Sequence, residues 1–223
     1  MSANQVAIDP RVAGLLREAA WWRLLGRLFE CPGPDWRRDI AALAREVDDD
    51  ALRAAAVSAL EGATEGQYHS VFGPGGPAPP REASYHDTLE LGSLMSELAG
   101  YYDAFDYHPS TGEAPDHVAV EIGFVAYLRL KEAYAVATGE LDHAGTTAQA
   151  AERFRVDHLA MLASPLAAVL AGSDLAAANL DYLVKTSALV AARAGARPRR
   201  TLLPVLRNDV ADEGGSEFPC CDQ

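Results

Sequence analysis

Glu113-Ala114-Pro115-Asp116-His117-Val118-Ala119-Val120-Glu121-Ile122-Gly123-Phe124-Val125-Ala126-Tyr127-Leu128, continuing through Lys131-Glu132-Ala133, is the stretch that decides the fold. It opens as a polar turn, in which Pro115 suits a first helical position because a missing N–H costs nothing there. Val118, Ile122, Val125 and Leu128 then recur at three and four residues. This spacing predicts a long helix over 115–137, with Glu121, Arg129 and Lys131 off its apolar face. An acidic turn bearing Asp116 and His117 would stand at the mouth of a buried helix.

The chain around it has 223 residues, 49% hydrophobic and 23% charged, which fits one globular domain or two closely packed helical lobes. Alanine and leucine dominate, Val/Ile/Thr alternation is scarce, and no Asn-Gly or Asp-Gly signal joins alternating runs, so the expected class is all-α. A formal charge of −13 argues against nucleic acid and favours a basic peptide as partner. The longest uncharged apolar run, 159–173, is broken by Pro165 and falls short of the ~18 residues that suggest a membrane span. Asp9 lies where a secretory signal would be basic and then apolar, so a cytoplasmic protein is expected. The pairs Arg37-Arg38 and Arg199-Arg200 are too far from the N-terminus to be an export signal of the chain itself. Cys31, Cys220 and Cys221 make neither an even framework nor a CxxC zinc spacing, as in a reducing compartment.

Asp9 as N-cap and Pro10 at N1 open a first helix that Cys31-Pro32-Gly33-Pro34 stops. In it Trp21 and Trp22 point about 100° apart, so both pack in a broad core or one lines a groove. Helices are expected over 35–47, over 48–60 behind three aspartates that suit the helix dipole, and from the capping box at Thr64 through Phe72. The glycine- and proline-rich 73–80 is neither helix nor central strand, and it lacks the residues of a phosphate loop. The polar and aromatic 81–86 behind it is taken as a loop lining a site. Helical spacing resumes over 89–105, and 106–112 leads to the opening stretch. Later helices are expected over 146–163, from Ser164-Pro165 as N-cap and N1 to Gly172, and from a Ser173 cap to Ala194. The expected organisation is about eight to ten helices. Residues 1–112 would form the N-terminal helical lobe, residues 113–195 a C-terminal lobe beginning at a hinge loop, and residues 196–223 a flexible tail.

Enzyme chemistry finds little support. His69, His86-Asp87 and Asp157 spell the ligands of an HD-type metal-dependent phosphohydrolase in order, and this is the alternative reading. But His86-Asp87 follows a proline-rich loop, while Asp116-His117 and Asp157-His158 run in reverse. Three consecutive aspartates lack the spacing of a calcium loop, a di-iron bundle needs Glu-x-x-His on two helices, and no G-x-S-x-G turn occurs. No catalytic residue, metal or cofactor is therefore expected. Asp116 could simply complement the helix dipole, and His117 could simply cap or pack.

Four segments in order carry a likeness: Tyr68-x-x-Val71-Phe72-Gly73-Pro74-Gly75, Pro79-Pro80-Arg81-Glu82-Ala83-Ser84-Tyr85, Glu113-x-Pro115-Asp116-His117 with Glu121-Ile122-Gly123-Phe124, and Phe154-x-x-Asp157-His158-Leu159. With these the chain resembles the TorD/DmsD/NarJ family of molybdoenzyme maturation chaperones, from the first helix to Leu189. The resemblance implies an all-helical, non-catalytic cytoplasmic chaperone hinged at the Pro-Asp-His turn. Its partners would be the catalytic subunit of a molybdopterin-dependent oxidoreductase with its twin-arginine leader peptide, and molybdenum-cofactor biosynthesis proteins. It would hold the apoprotein until cofactor insertion and export. The segments 101–105 and 131–134 look most like the branch serving DMSO-reductase-type enzymes. On this reading Glu113 and Asp116 face the leader's arginines around the Pro115 hinge, and Tyr85 and His117 line the junction. Trp22, Phe72 and Tyr102 supply an apolar wall, while Glu82, Ser84 and His158 complete the site. Arg81 and Ala83 depart from the family's pattern, and Gly123 replaces a larger residue, which would loosen a helix by about 0.5–1 kcal/mol.

Overall fold

The computed structural model describes residues 8–86, 91–173 and 180–196. The Asp87 of the phosphohydrolase reading, the start expected at Leu89, the basic patch Arg197/Arg199/Arg200 and the pair Cys220-Cys221 lie outside these. The described residues form α-helices without strands, in the order α1 (Pro10–Leu28), α2 (Trp36–Leu43), α3 (Asp50–Gly62), α4 (Glu65–Phe72), α5 (Leu91–Ala104), α6 (Val118–Thr138), α7 (Leu141–Phe154), α8 (Ala160–Ala171) and α9 (Asp181–Ala194). A 3₁₀ turn, Glu82–Tyr85, follows the proline-rich loop, and a π turn, Arg155–Leu159, joins α7 to α8. The expected all-α architecture is what the molecule has.

Local chemistry sets the ends. Asp9 Oδ1 accepts from Arg11 N at 2.7 Å ahead of Pro10, Asp49 Oδ1 from Leu52 N at 2.9 Å, and Thr64 Oγ1 from Gln67 N at 3.3 Å. Gly139 closes α6 with φ +80°, a left-handed conformation that glycine adopts without steric penalty.

α6 is the axis of the bundle. Val118, Ala119, Val120, Glu121, Ile122, Phe124, Val125, Ala126 and Leu128 are all buried, so its first turns have no polar face. This corrects the expected stripe: Glu121 lies in the core, because α1 and α7 flank α6 and the π turn also packs on it. Two glycines of this region make room for close packing, Gly26 for the approach of α1 to α6 and Gly123 for an aromatic ring. A Cβ at Gly26 would stand 3.2 Å from Ile122 Cγ2 and 3.5 Å from Gly123 N. A Cβ at Gly123 would meet Tyr107 Oη at 2.7 Å, so the absent side chain makes room for that ring. One large hydrophobic cluster runs from Trp21 on α1 through Phe124 on α6 to Val190 on α9, on both sides of residue 113, and a smaller one joins Val12 and Leu15 to Ala133.

Two expected boundaries move. α6 begins at Val118, with Pro115 and Asp116 in the preceding turn, because their backbone is drawn into pairing with residues 80–82. Pro165 lies inside α8, where Met161, Leu162, Leu166 and Leu170 are buried on both sides of it, and this burial outweighs the one ladder bond that proline removes. Ser173 Oγ donates back to Val169 O at 2.8 Å, and the cap expected of Ser173 on the next helix falls on 174–179, outside the described residues, which resume ahead of α9 at Asp181. With α7 starting at Leu141, the run Leu141–Ala171 is continuous and, by length and mean hydropathy, sufficient to cross a membrane. Half of its apolar window is buried inside this protein.

Gly26→Leu is expected to destabilise by about 1–3 kcal/mol in urea unfolding, as overpacking of the α1–α6 contact. Gly14→Ala on the same helix, where a Cβ meets nothing within 4 Å, is expected to stabilise by about 0.5–1 kcal/mol.

Candidate functional site

Residues 80–83 and 114–118 are stitched together ahead of α6. Glu82 N donates to Asp116 O at 2.8 Å and Val118 N to Pro80 O at 2.8 Å, which pairs Arg81 and His117 as an antiparallel bridge. Side chains repeat the connection. Arg81 Nε donates to Asp116 Oδ1 at 2.7 Å, and Ala83 N to Asp116 Oδ2 at 3.3 Å. Asp116 is fully buried, while the Arg81 side chain is 43% exposed. The turn is held from the other side by Tyr102 Oη, which donates to Pro115 O at 2.8 Å, and the loop by Tyr85 Oη, which donates to Pro79 O at 2.7 Å.

His117 is the N-cap of α6. Its Nδ1 accepts from Ala119 N at 3.1 Å, which leaves the ring proton on Nε2, 3.2 Å from Tyr68 Oη and 3.9 Å from Glu113 Oε2. Protonating Nδ1 would set a donor against a donor. Burial, helped by the Arg81 charge, pushes the His117 pKa down to about 4, so the ring is neutral at pH 7.

Behind the turn lies a buried polar network. Glu82 Oε1 accepts from His86 Nε2 at 2.7 Å and Glu82 Oε2 from His158 Nδ1 at 3.1 Å. His158 stands on the π turn against Phe154 and Tyr101, with Nε2 buried, 3.6 Å from Glu97 Oε1 and without a hydrogen bond. Burial alone would raise the Glu82 pKa, but the bonds and charges of His158 and His86 outweigh it and hold the carboxylate low. Glu121 is the opposite case. Wholly buried and facing Glu82 and Asp116, its carboxyl is pushed well up and stays protonated, and neither of its oxygens has a hydrogen-bond partner among the described residues.

The structure thus brings Glu82, Pro115, Asp116, His117 and His158 together, with Tyr102 touching Pro115. Trp22, Phe72 and Tyr102 are core side chains at 1%, 8% and 6% exposure, with Trp21 and Trp22 edge-to-face in the broad core that their spacing allowed. Tyr85 and Glu113 are half-buried, and Ser84 is exposed. Asp116 has both oxygens engaged by its own chain. Sequence reasoning missed Arg81 as that partner and placed Glu121 on a polar face; the signal was a lone acid within the uniformly apolar 118–128. Among the described residues, His69, His86 and Asp157 do not gather as metal ligands.

Beside the turn the surface is acidic. Glu113 acts electrostatically on Glu30, Cys31 and Tyr68, and Glu65 on Cys31. Arg27 answers this patch, paired with Glu30 and, at 2.8 Å, with Asp39. Farther along α6, Phe105, Leu130, Tyr134, Ala135 and Thr147 line an open, largely apolar groove of about 650 Å³ with Glu140 and His143 on it. Leu130, Tyr134 and Leu141 are among the exposed large hydrophobic residues.

A family model described as nitrate reductase delta subunit matches residues 34–162, more than half of the chain and all of the stitched turn. No curated protein matches the chain.

Two pH effects of opposite sign follow. Between pH 6.5 and about 4 the unfolded chain protonates His117 and the folded one does not, so stability falls on acidification by on the order of 3 kcal/mol. His117→Asn, which retains a capping oxygen, is expected to flatten that limb in urea titrations. Above pH 4.5 the unfolded chain ionises Glu121 while the folded one keeps its proton, so stability falls as pH rises. Glu121→Gln is expected to remove this decline and to match or exceed the parent at pH 8.

Proposed function

Because the chain belongs to the nitrate reductase delta subunit family, whose members are maturation chaperones of molybdoenzymes rather than catalysts, we propose that it binds the N-terminal leader of a molybdoenzyme catalytic subunit and holds the apoprotein in the cytoplasm until its cofactor is inserted. Molybdenum-cofactor biosynthesis proteins would meet this complex, and release would permit export. The phosphohydrolase alternative is set aside with the family.

The observation that carries the reading is the acidic patch of Glu30, Glu65 and Glu113 beside the turn, on a chain of net charge −13. A twin-arginine leader offers two guanidinium groups and then an apolar segment. Glu113, 34% exposed on its side chain, receives the arginines. Asp116, engaged by Arg81, sets the turn's geometry instead of contacting the leader. The groove of Leu130 and Tyr134 takes the apolar segment, about 18 Å along α6 from the turn at 1.5 Å per residue. Pro115, Tyr85, Ser84 and His117 form the hinge junction, and the Glu82–His158 pair supports it from behind.

A synthetic leader peptide with its arginine pair is expected to bind more weakly as salt rises, because exposed charges are screened within ~8–10 Å at physiological strength. Glu113→Gln should weaken binding roughly two- to fivefold and reduce the salt dependence. Tyr134→Ser should weaken it by tenfold or more with the salt dependence intact, through lost apolar burial of about 1.5–3 kcal/mol. Fluorescence anisotropy measures all three. Affinity indifferent both to salt and to Glu113 would refute the assignment of the arginines.

A further inference from the structure

Three side chains outside the stitched turn converge on one point of the surface. Cys31 follows α1, kept out of the helix by Pro32-Gly33-Pro34. Glu65 and His69 are four residues apart on α4 and therefore stack on one face. Cys31 Sγ lies 3.8 Å from His69 Nε2, and Glu65 Oε1 lies 3.7 Å from the same nitrogen. All three donor atoms are within 4.8 Å of one another, the one such group among the described residues.

A cysteine, a histidine and a glutamate could also form a nucleophilic relay, but that needs the thiol on one ring nitrogen and the carboxylate on the other. Here both approach Nε2. Burial, with the charges of Glu65 and Glu113, also pushes the Cys31 thiol up, the opposite of an activated nucleophile. Convergence on a single point is instead how ligands surround an ion. Zinc bonds of about 2.3 Å to sulfur and about 2.0–2.1 Å to nitrogen and oxygen give ligand separations of roughly 3.4–3.6 Å in a tetrahedron. The two spacings to His69 Nε2 exceed these by a few tenths of an ångström, and the sulfur–carboxylate separation is no more than 4.8 Å, so rotation of the exposed Glu65 and His69 side chains would close the set around an ion.

We propose that Cys31, Glu65 and His69 form a three-ligand site for a zinc-class divalent cation, with a fourth position open to water. The mixed sulfur, nitrogen and oxygen donors suit zinc and disfavour magnesium or calcium. Glu65 and His69 are exposed, so the site loads from solution and is not a structural centre on which folding depends. Binding displaces the thiol proton, and the thiolate becomes the ligand.

The test uses the full chain, reduced and stripped of metal, titrated with Zn²⁺ against a chromophoric chelator and separately with Co²⁺. One equivalent of Zn²⁺ and a thiolate-to-Co²⁺ charge-transfer band are expected. Cys31→Ser should abolish the band, and Glu65→Gln and His69→Ala should each weaken Zn²⁺ binding at least about tenfold. Both of the latter change exposed side chains, so loss of fold cannot imitate the result. Cys220→Ser/Cys221→Ser should retain band and stoichiometry. The site is ruled out if Zn²⁺ is not held against the chelator, if the three variants bind as the parent does, or if the tail substitution removes the band.

Discussion

The pairing of residues 80–83 with 114–118 is the constraint on which the molecule turns. Two backbone bonds and the Arg81–Asp116 bridge end an extended proline-rich loop and start the central helix at the same place. The arrangement is asymmetric: Asp116 is wholly buried while Arg81 reaches solvent. Taking away the arginine would leave a buried charge without its counterion, whereas taking away the aspartate would leave a cation in water. Buried pairs add little net stability, but their half-removal costs several kcal/mol. Asp116 therefore acts chiefly to specify geometry, and it does so in the turn that leads into α6, against which α1, α7 and the π turn pack.

Behind this clamp, the buried network couples three elements distant in sequence. Glu82 from the 3₁₀ turn, Glu121 from α6 and His158 from the π turn share one proton-poor and one proton-rich carboxyl between them. Two ionised carboxylates could not stay together there, and the protonation of one is what makes the pair tolerable. A π turn is a rare device that adds a residue to a helical turn, and here it carries the histidine of this network. These buried groups need no reaction to explain them, in keeping with a family of maturation chaperones.

Function in the proposed reading sits on the surface flanking the clamp. The exposed acids Glu65 and Glu113, next to a Glu30 that Arg27 already holds, lie at one end of α6, and the apolar groove lies toward the other. The proposed cation site uses the same acidic region through Cys31 and His69, so a dication and a basic peptide would meet overlapping fields there.

The all-α class, the caps at Asp9 and Thr64, the acidic start of α3 and the irregular 73–80 were legible because they depend on neighbours a few residues away. So was the importance of Pro115-Asp116-His117, though only as a polar turn next to apolar spacing and through its family likeness. What Asp116, Glu121 and Cys31 do was not legible. Their partners are Arg81, 35 residues away, Glu82 on another element, and His69, 38 residues away. Pro165 misled for the same reason: a local rule ends a helix there, and burial on both sides of it keeps the helix going. Sequence by itself determined which segments are helical and where charge accumulates, since propensity and composition are short-range properties. Tertiary structure alone decided which acids are buried, which are paired and which remain to meet a partner, because burial and pairing arise only when distant elements pack.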